Sequence, residues 1–191
     1  MNKAVFLDRD GTINIEKNYL YKEDEFVFIE GAAQAIKILH EMGYKVIVIT
    51  NQAGVARGYY TEDDVIKLHH YLDAELRKHH THIDAYYYCP HHPEGVIPKY
   101  SRTCHCRKPN TGMIDQAVAD FEIDLKESIL IGDKETDILT GKNAGVKYTI
   151  LVRSGHLINE AGTEADAVYD DLLSFARVGF QDTIRRSGEG K

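Results

Sequence analysis

Short apolar runs alternate with helical patterns along this chain, and that alternation constrains the fold more than any other feature. The runs are Ala4-Val5-Phe6-Leu7, Val46-Ile47-Val48-Ile49, Ala85-Tyr86-Tyr87-Tyr88, Ile129-Leu130-Ile131 and Tyr148-Thr149-Ile150-Leu151-Val152. Each is rich in β-branched or aromatic residues and reads as a strand. Between them Ala32, Ala35, Ile36, Leu39 and Met42 fall at helical spacing, and Gly43 stops the run. Thr61 offers an N-cap, with Glu62, Asp63 and Asp64 in the first turn and Val65, Leu68, Leu72 and Leu76 as an apolar stripe. A third stripe, Met113, Ile114, Ala117, Val118 and Phe121, follows a turn at 109–112, and a short helix is expected over 135–144, ended by Gly145. Strand, helix, strand in this rhythm means parallel crossover units, hence a doubly wound, Rossmann-like α/β sheet.

The 191 residues suit one domain, expected over 1–184, with a polar tail at 185–191. The stretch 89–109 breaks the rhythm, because it holds all 4 prolines of the chain and little periodicity. It reads as an inserted loop. Lys and Arg number 23 against 30 Asp and Glu, a net charge of −7, so the basic footprint of a nucleic-acid binder is missing. No apolar run approaches the ~18 residues of a membrane span. The start of the chain lacks the apolar core of a secretory leader, so a cytoplasmic protein is expected, with a monomer favoured.

Three strands end in polar residues suited to chemistry. Asp8 and Asp10 follow the first, Thr50 closes the second, and Asp133 follows Ile129–Ile131. Ligands of open α/β sheets bind at such carboxyl ends. A carboxylate there can act as a nucleophile, a second can carry protons, and Asp133 can complete an all-oxygen site suited to Mg²⁺. Converging carboxylates repel one another, so a cation is expected among them. Asp137 reads as an acid complementing its helix dipole, with metal binding as a secondary role.

Cys89, Cys104 and Cys106, an odd set, make a poor disulfide framework. With one histidine they supply the four ligands of a closed, structural Zn²⁺ site. His91, His92 and His105 are all near enough to be that histidine.

Asp8-Arg9-Asp10-Gly11-Thr12, Thr50, Lys108 and Gly132-Asp133, in this order and strand context, resemble the four motifs of the haloacid dehalogenase superfamily of phosphatases. The segments 6–14, 50–58, 87–93 and 104–109 are similar to the branch that hydrolyses heptose bisphosphates and histidinol phosphate, and the likeness spans about residues 3–155. The resemblance implies a small zinc loop and no large cap domain. It implies that Asp8 attacks phosphorus and that Asp10 protonates the departing oxygen and then activates water. Thr50 and Lys108 would stabilise the phosphoryl group, and Asp8, the Asp10 carbonyl and Asp133 would hold Mg²⁺. His91 matches the family's zinc-binding histidine. Glu16, Lys17, Asn18, Tyr19, Asn51, Gln52 and Ala53 would line the sugar site, with Arg107 and Lys134 as substrate contacts.

The expected substrate is D-glycero-D-manno-heptose 1,7-bisphosphate, cleaved at C7, with histidinol phosphate as the rival. For Asp10 to act as an acid it must hold a proton at neutral pH, which calls for burial and nearby negative charge. A phospho-signalling receiver would share the fold and the acidic site, but would need no zinc loop.

Overall fold

The structure, a computed structural model, describes residues 1–179. The expected tail at 185–191 lies outside the described residues. Six parallel strands form one sheet: β1 Ala4–Leu7, β2 Lys45–Asn51, β3 Ala85–Cys89, β4 Ile129–Gly132, β5 Tyr148–Val152 and β6 Ala167–Tyr169, in the order β3-β2-β1-β4-β5-β6. The five expected strands are all present. The sixth, an edge strand of three residues, carries too short a signal to stand out from the polar loop around it.

Period-two alternation sends side chains to two separate cores. Val5, Leu7, Val46, Val48, Ile129 and Ile131 pack on one face with α1 (Ala32–Glu41) and α2 (Glu62–Lys78). Phe6, Ile47, Ile49 and Leu130 pack on the other with α3 (Gly112–Phe121), while the end of α4 (Glu135–Ala144) covers the same side. Both faces are thus covered, which is why these strands read as unbroken apolar runs rather than as alternating ones. Thr61 caps α2 as expected: its Oγ1 accepts from Asp64 N at 3.2 Å, and Asp64 Oδ2 accepts from Thr61 N at 2.8 Å. No helix among the described residues is long and apolar enough to cross a membrane.

The chain winds from β1 out to β3, then returns to lay β4 against the other side of β1. That reversal opens a crevice outside the carboxyl ends of β1 and β4, the place where sheets of this kind bind ligands. Asp8 and Asp133 sit there, one residue past each strand. Loops and the 89–109 insertion border the crevice, and the described residues include no large cap.

Candidate active site

Register brings the acids together. Val5, Phe6 and Leu7 pair with Ile129, Leu130 and Ile131, and Asp8 N donates to Ile131 O at 3.1 Å, which carries the pairing one residue beyond the strand. Asp8 and Asp133 therefore emerge side by side. Gly11, at φ +84°, makes this closeness possible, because a Cβ there would run into the Asp133 carboxylate.

Lys108 enters from the far side, fully buried, with Nζ 2.9 Å from Asp8 Oδ1, 2.7 Å from Asp137 Oδ1 and 2.9 Å from Ile49 O. Burial pushes Asp8 up, but Lys108 outweighs it, and the carboxyl stays below its usual range. Asp8 is thus held as the carboxylate a nucleophile must be. Burial would lower Lys108, yet Asp137 and Asp8 together raise it, so it remains a cation. Asp137 is no surface helix-start acid: it is 1% exposed and is pushed up to about 7, first by burial and then by Asp8 and Asp133 against the pull of Lys108. Its Oδ2 still accepts from Lys134 N at 3.1 Å, so the expected helix-end role and an active-site role coincide.

The three carboxylates, Asp8, Asp133 and Asp137, offer oxygens within 4.8 Å of one another. One lysine does not neutralise them. Asp133 is raised by burial and then by Asp8, and its Oδ1 is buried with no partner among the described residues. An orphaned carboxylate oxygen in an under-neutralised oxygen cluster suits a hard divalent cation such as Mg²⁺. The other oxygen, Oδ2, accepts from His156 N at 2.9 Å and lies 2.6 Å from His156 Nδ1. No sequence signal marks His156, which lies 23 residues downstream in a loop.

Asp10 has a different setting from the one its acid role calls for. Its carboxylate takes Arg9 Nε at 3.2 Å, Arg9 Nη2 at 3.0 Å, Asn14 Nδ2 at 2.9 Å and Gln52 Nε2 at 3.2 Å. Donors surround it, where burial among negative charges was expected. Arg9 itself is 1% exposed and is fixed by Leu20 O and by His69, a ring that burial and then Arg9 hold neutral by lowering its pKa to about 2.

Two residues expected to touch the sugar also brace the machinery. Gln52 Nε2 donates to Thr50 Oγ1 at 2.9 Å as well as to Asp10, while its Oε1 accepts from Tyr60 OH at 2.7 Å. Asn51 Oδ1 accepts from Lys108 N at 3.0 Å and Asn51 Nδ2 faces Lys108 O at 3.3 Å, so the amide grips the lysine backbone. Both still border a cleft of about 360 Å³ that also meets Glu16, Asn18, Tyr19, Ala53, Arg107 and Lys134. Lys17 does not border it; its side chain is exposed.

Arg57, which sequence reasoning passed over, and His92, which it weighed only as a zinc ligand, close the cleft at the loop side. His92 Nδ1 accepts from Glu94 N at 3.1 Å, which leaves the ring proton on Nε2. Arg57 Nη2 lies 3.4 Å from that Nε2, so two donors confront each other. Arg57 Nε is buried without a partner among the described residues. Burial, then Arg107 and Arg57, lower His92 and keep it neutral. This wall lacks only an acceptor.

The insertion gathers Cys89, His91, Cys104 and Cys106. Their Sγ atoms are 3.1–3.4 Å apart, and His91 Nδ1 is 3.4 Å from Cys106 Sγ and 3.8 Å from Cys89 Sγ. Four donors at such spacing match the edges of a zinc tetrahedron. Cys106 is pulled down to about 5, chiefly by its hydrogen bond with Cys89, toward the thiolate a metal needs. Of the other histidines considered, His92 faces Arg57, and His105 Nε2 lies 2.7 Å from Asp115. From this knot Arg107 Nη1 donates to His91 O at 3.2 Å, and Lys108 follows directly.

Comparison with known proteins points the same way. The HAD-hydrolase-like family model matches residues 105–175. The D-glycero-beta-D-manno-heptose-1,7-bisphosphate 7-phosphatase of Haemophilus influenzae is 44% identical over 93% of this chain and 97% of its own. The Pasteurella multocida protein of the same name is 46% identical over 93% and 97%. Among solved structures, the D,D-heptose 1,7-bisphosphate phosphatase of B. bronchiseptica, complexed with magnesium and phosphate, superposes with a TM-score of 0.78 at 28% identity, covering 94% of this chain and 99% of that one.

Proposed function

The chain belongs to the haloacid dehalogenase-like phosphatases, and from that premise we propose that it hydrolyses the 7-phosphate of D-glycero-β-D-manno-heptose 1,7-bisphosphate. The observation that carries the chemistry is the ionised Asp8 held 2.9 Å from a buried Lys108 beside the orphaned Asp133 oxygen. The names of the Haemophilus influenzae and Pasteurella multocida relatives support the heptose bisphosphate and its β anomer, while a Photorhabdus laumondii relative, 42% identical, is named for the α anomer.

Asp8 Oδ attacks phosphorus, a P–O bond to the carboxylate forms, and the bond to the C7 oxygen breaks. Lys108 offsets charge on the phosphoryl oxygens, and Thr50, braced by Gln52, donates to one of them. Asp10 gives a proton to the departing C7 oxygen. In the second half Asp10 takes a proton from water, which attacks the aspartyl-phosphate and returns Asp8. Donors ring Asp10, and the incoming phosphate brings negative charge beside it. Asp8, Asp133 and the Asp10 carbonyl would hold Mg²⁺, which would supply positive charge to offset that of the phosphoryl group. The Cys89, His91, Cys104 and Cys106 set would hold Zn²⁺ in a closed, structural role, because no ligand position is left for water.

The donor-only wall of Arg57 and His92, with Arg107 alongside, favours a substrate with a second phosphate over histidinol phosphate, which has one. The test is phosphate release with Mg²⁺ from heptose bisphosphate, in each anomer, and from histidinol phosphate. The expected result is a preference of at least about 100-fold in kcat/KM for the bisphosphate, because donors left unpaired by the smaller substrate cost binding. Equal or faster turnover of histidinol phosphate would overturn the assignment.

A further inference from the structure

At the opposite end of the sheet from the active site lies a second cluster of metal-binding atoms that the phosphatase reaction does not use. We infer that His40, His82 and Asp84 form a transition-metal site that takes one Zn²⁺.

Three elements meet there. His40 is in the last turn of α1, His82 belongs to the loop before β3, and Asp84 immediately precedes β3. Helices of a parallel sheet run back against the strands, so the end of α1 arrives at the strand starts. The ligand atoms lie within 4.8 Å of one another. His40 Nε2 is 3.0 Å and His82 Nε2 3.8 Å from the Asp84 carboxylate. Two ligands on a tetrahedral zinc at about 2.0–2.1 Å are roughly 3.3 Å apart, so these spacings bracket what one ion requires. The two imidazoles stack at 4.6 Å with planes 19° apart, and their Nε2 atoms face the two oxygens of one carboxylate, His40 toward Oδ2 and His82 toward Oδ1.

The outer partners are those of an oriented site. His40 Nδ1 lies 3.0 Å from Thr81 Oγ1, a buried hydroxyl that fixes the ring and leaves Nε2 for a ligand. Asp84 Oδ2 accepts from Val46 N at 2.8 Å, which anchors the carboxylate to the sheet. Lys45 Nζ holds Asp84 Oδ1 at 2.9 Å and is 38% exposed, so its long chain can turn to solvent when an ion takes that oxygen. Two imidazoles and one carboxylate are the donor set of open zinc sites and suit a borderline ion better than Mg²⁺. His82, 55% exposed, leaves the fourth position to water.

The seven residues of β2, Lys45 to Asn51, separate this cluster from the catalytic acids by about 20 Å. An ion here would tie α1 to the start of β3 without reaching the substrate.

The test is calorimetric titration of the zinc-loaded protein, freed of excess metal, with Zn²⁺ under saturating Mg²⁺ that keeps zinc from the catalytic acids. One further Zn²⁺ per chain is expected to bind, absent in His82→Ala and at least about tenfold weaker in His40→Gln. Phosphatase kcat in both variants should equal that of the parent. The inference is overturned if no additional ion binds, or if the His82→Ala protein binds it as tightly, which would assign it to other surface histidines.

Discussion

Lys108 holds two carboxylates at once, Asp8 at 2.9 Å and Asp137 at 2.7 Å. Replacing Asp8 by Asn removes the nucleophile while leaving the shape, and turnover should fall by roughly 10⁴-fold or more in a direct assay, with the circular-dichroism spectrum unchanged. Gln52→Ala is expected to act differently. It releases Asp10, Thr50 and Tyr60 together, so kcat should drop about 10- to 100-fold while KM changes little. Arg57→Ala should show the converse pattern, raising KM for the bisphosphate about tenfold or more and leaving that of a small monophosphate ester unchanged. These residues differ in how plainly the sequence announces them. Asp8, Thr50 and Asp133 stand directly after apolar runs and are legible. Asp137 sits in Glu135-Thr136-Asp137, which looks like any acidic first turn, and only burial exposes its second task. Arg57 and His92 are separated by 35 residues, so their confrontation exists only in the folded chain.

The loop from Pro90 to Lys108 is the element on which the cleft most depends. It belongs to no strand or helix, and it delivers Arg107 and Lys108 to the cleft. Zinc should supply the order that apolar contacts do not. Exhaustive chelation, or Cys106→Ser, is therefore expected to lower Tm by several degrees and to cut kcat in the presence of excess Mg²⁺. Undiminished activity in zinc-free protein, checked by elemental analysis, would show that Lys108 is placed without it. The cysteine spacing revealed this element in advance, but it did not choose among three neighbouring histidines. That choice depends on which ring the backbone turns inward, and the other two are engaged by Arg57 and Asp115. The strands were legible for a related reason: a strand buried on both faces is apolar throughout. β6, at the edge and half-covered, has no such signature.

Across the whole molecule, acid stability follows from groups buried in one charge state. His69 titrates at 6.5 when exposed but at about 2 in the fold. Below 6.5 the unfolded chain takes up a proton that the folded chain refuses, so stability is lost as pH falls, by up to about 1.4 kcal/mol per pH unit from this ring. Asp137, pushed up to about 7, acts with the opposite sign between 3.8 and 7, because there the folded form binds the extra proton. Denaturant midpoints of His69→Gln and parent, measured between pH 4 and 7 at fixed Mg²⁺, separate the two. The variant curve should fall less steeply toward acid. Charge at this scale also bears on how a chain of net −7 would accept a bisphosphate, since the buried lysine, the arginine wall and the cation that the acids would hold concentrate positive charge at the cleft.

The pairing of Val5 with Ile129 carries one more consequence, in time rather than in space. A ribosome releases Asp8 early, but its neighbouring strand and Asp133 come more than a hundred residues later. Until then the growing chain has β1 with one edge bare and a nucleophile without its partners. The half-made protein is therefore catalytically silent, and its exposed strand is the part a chaperone would need to shield during synthesis.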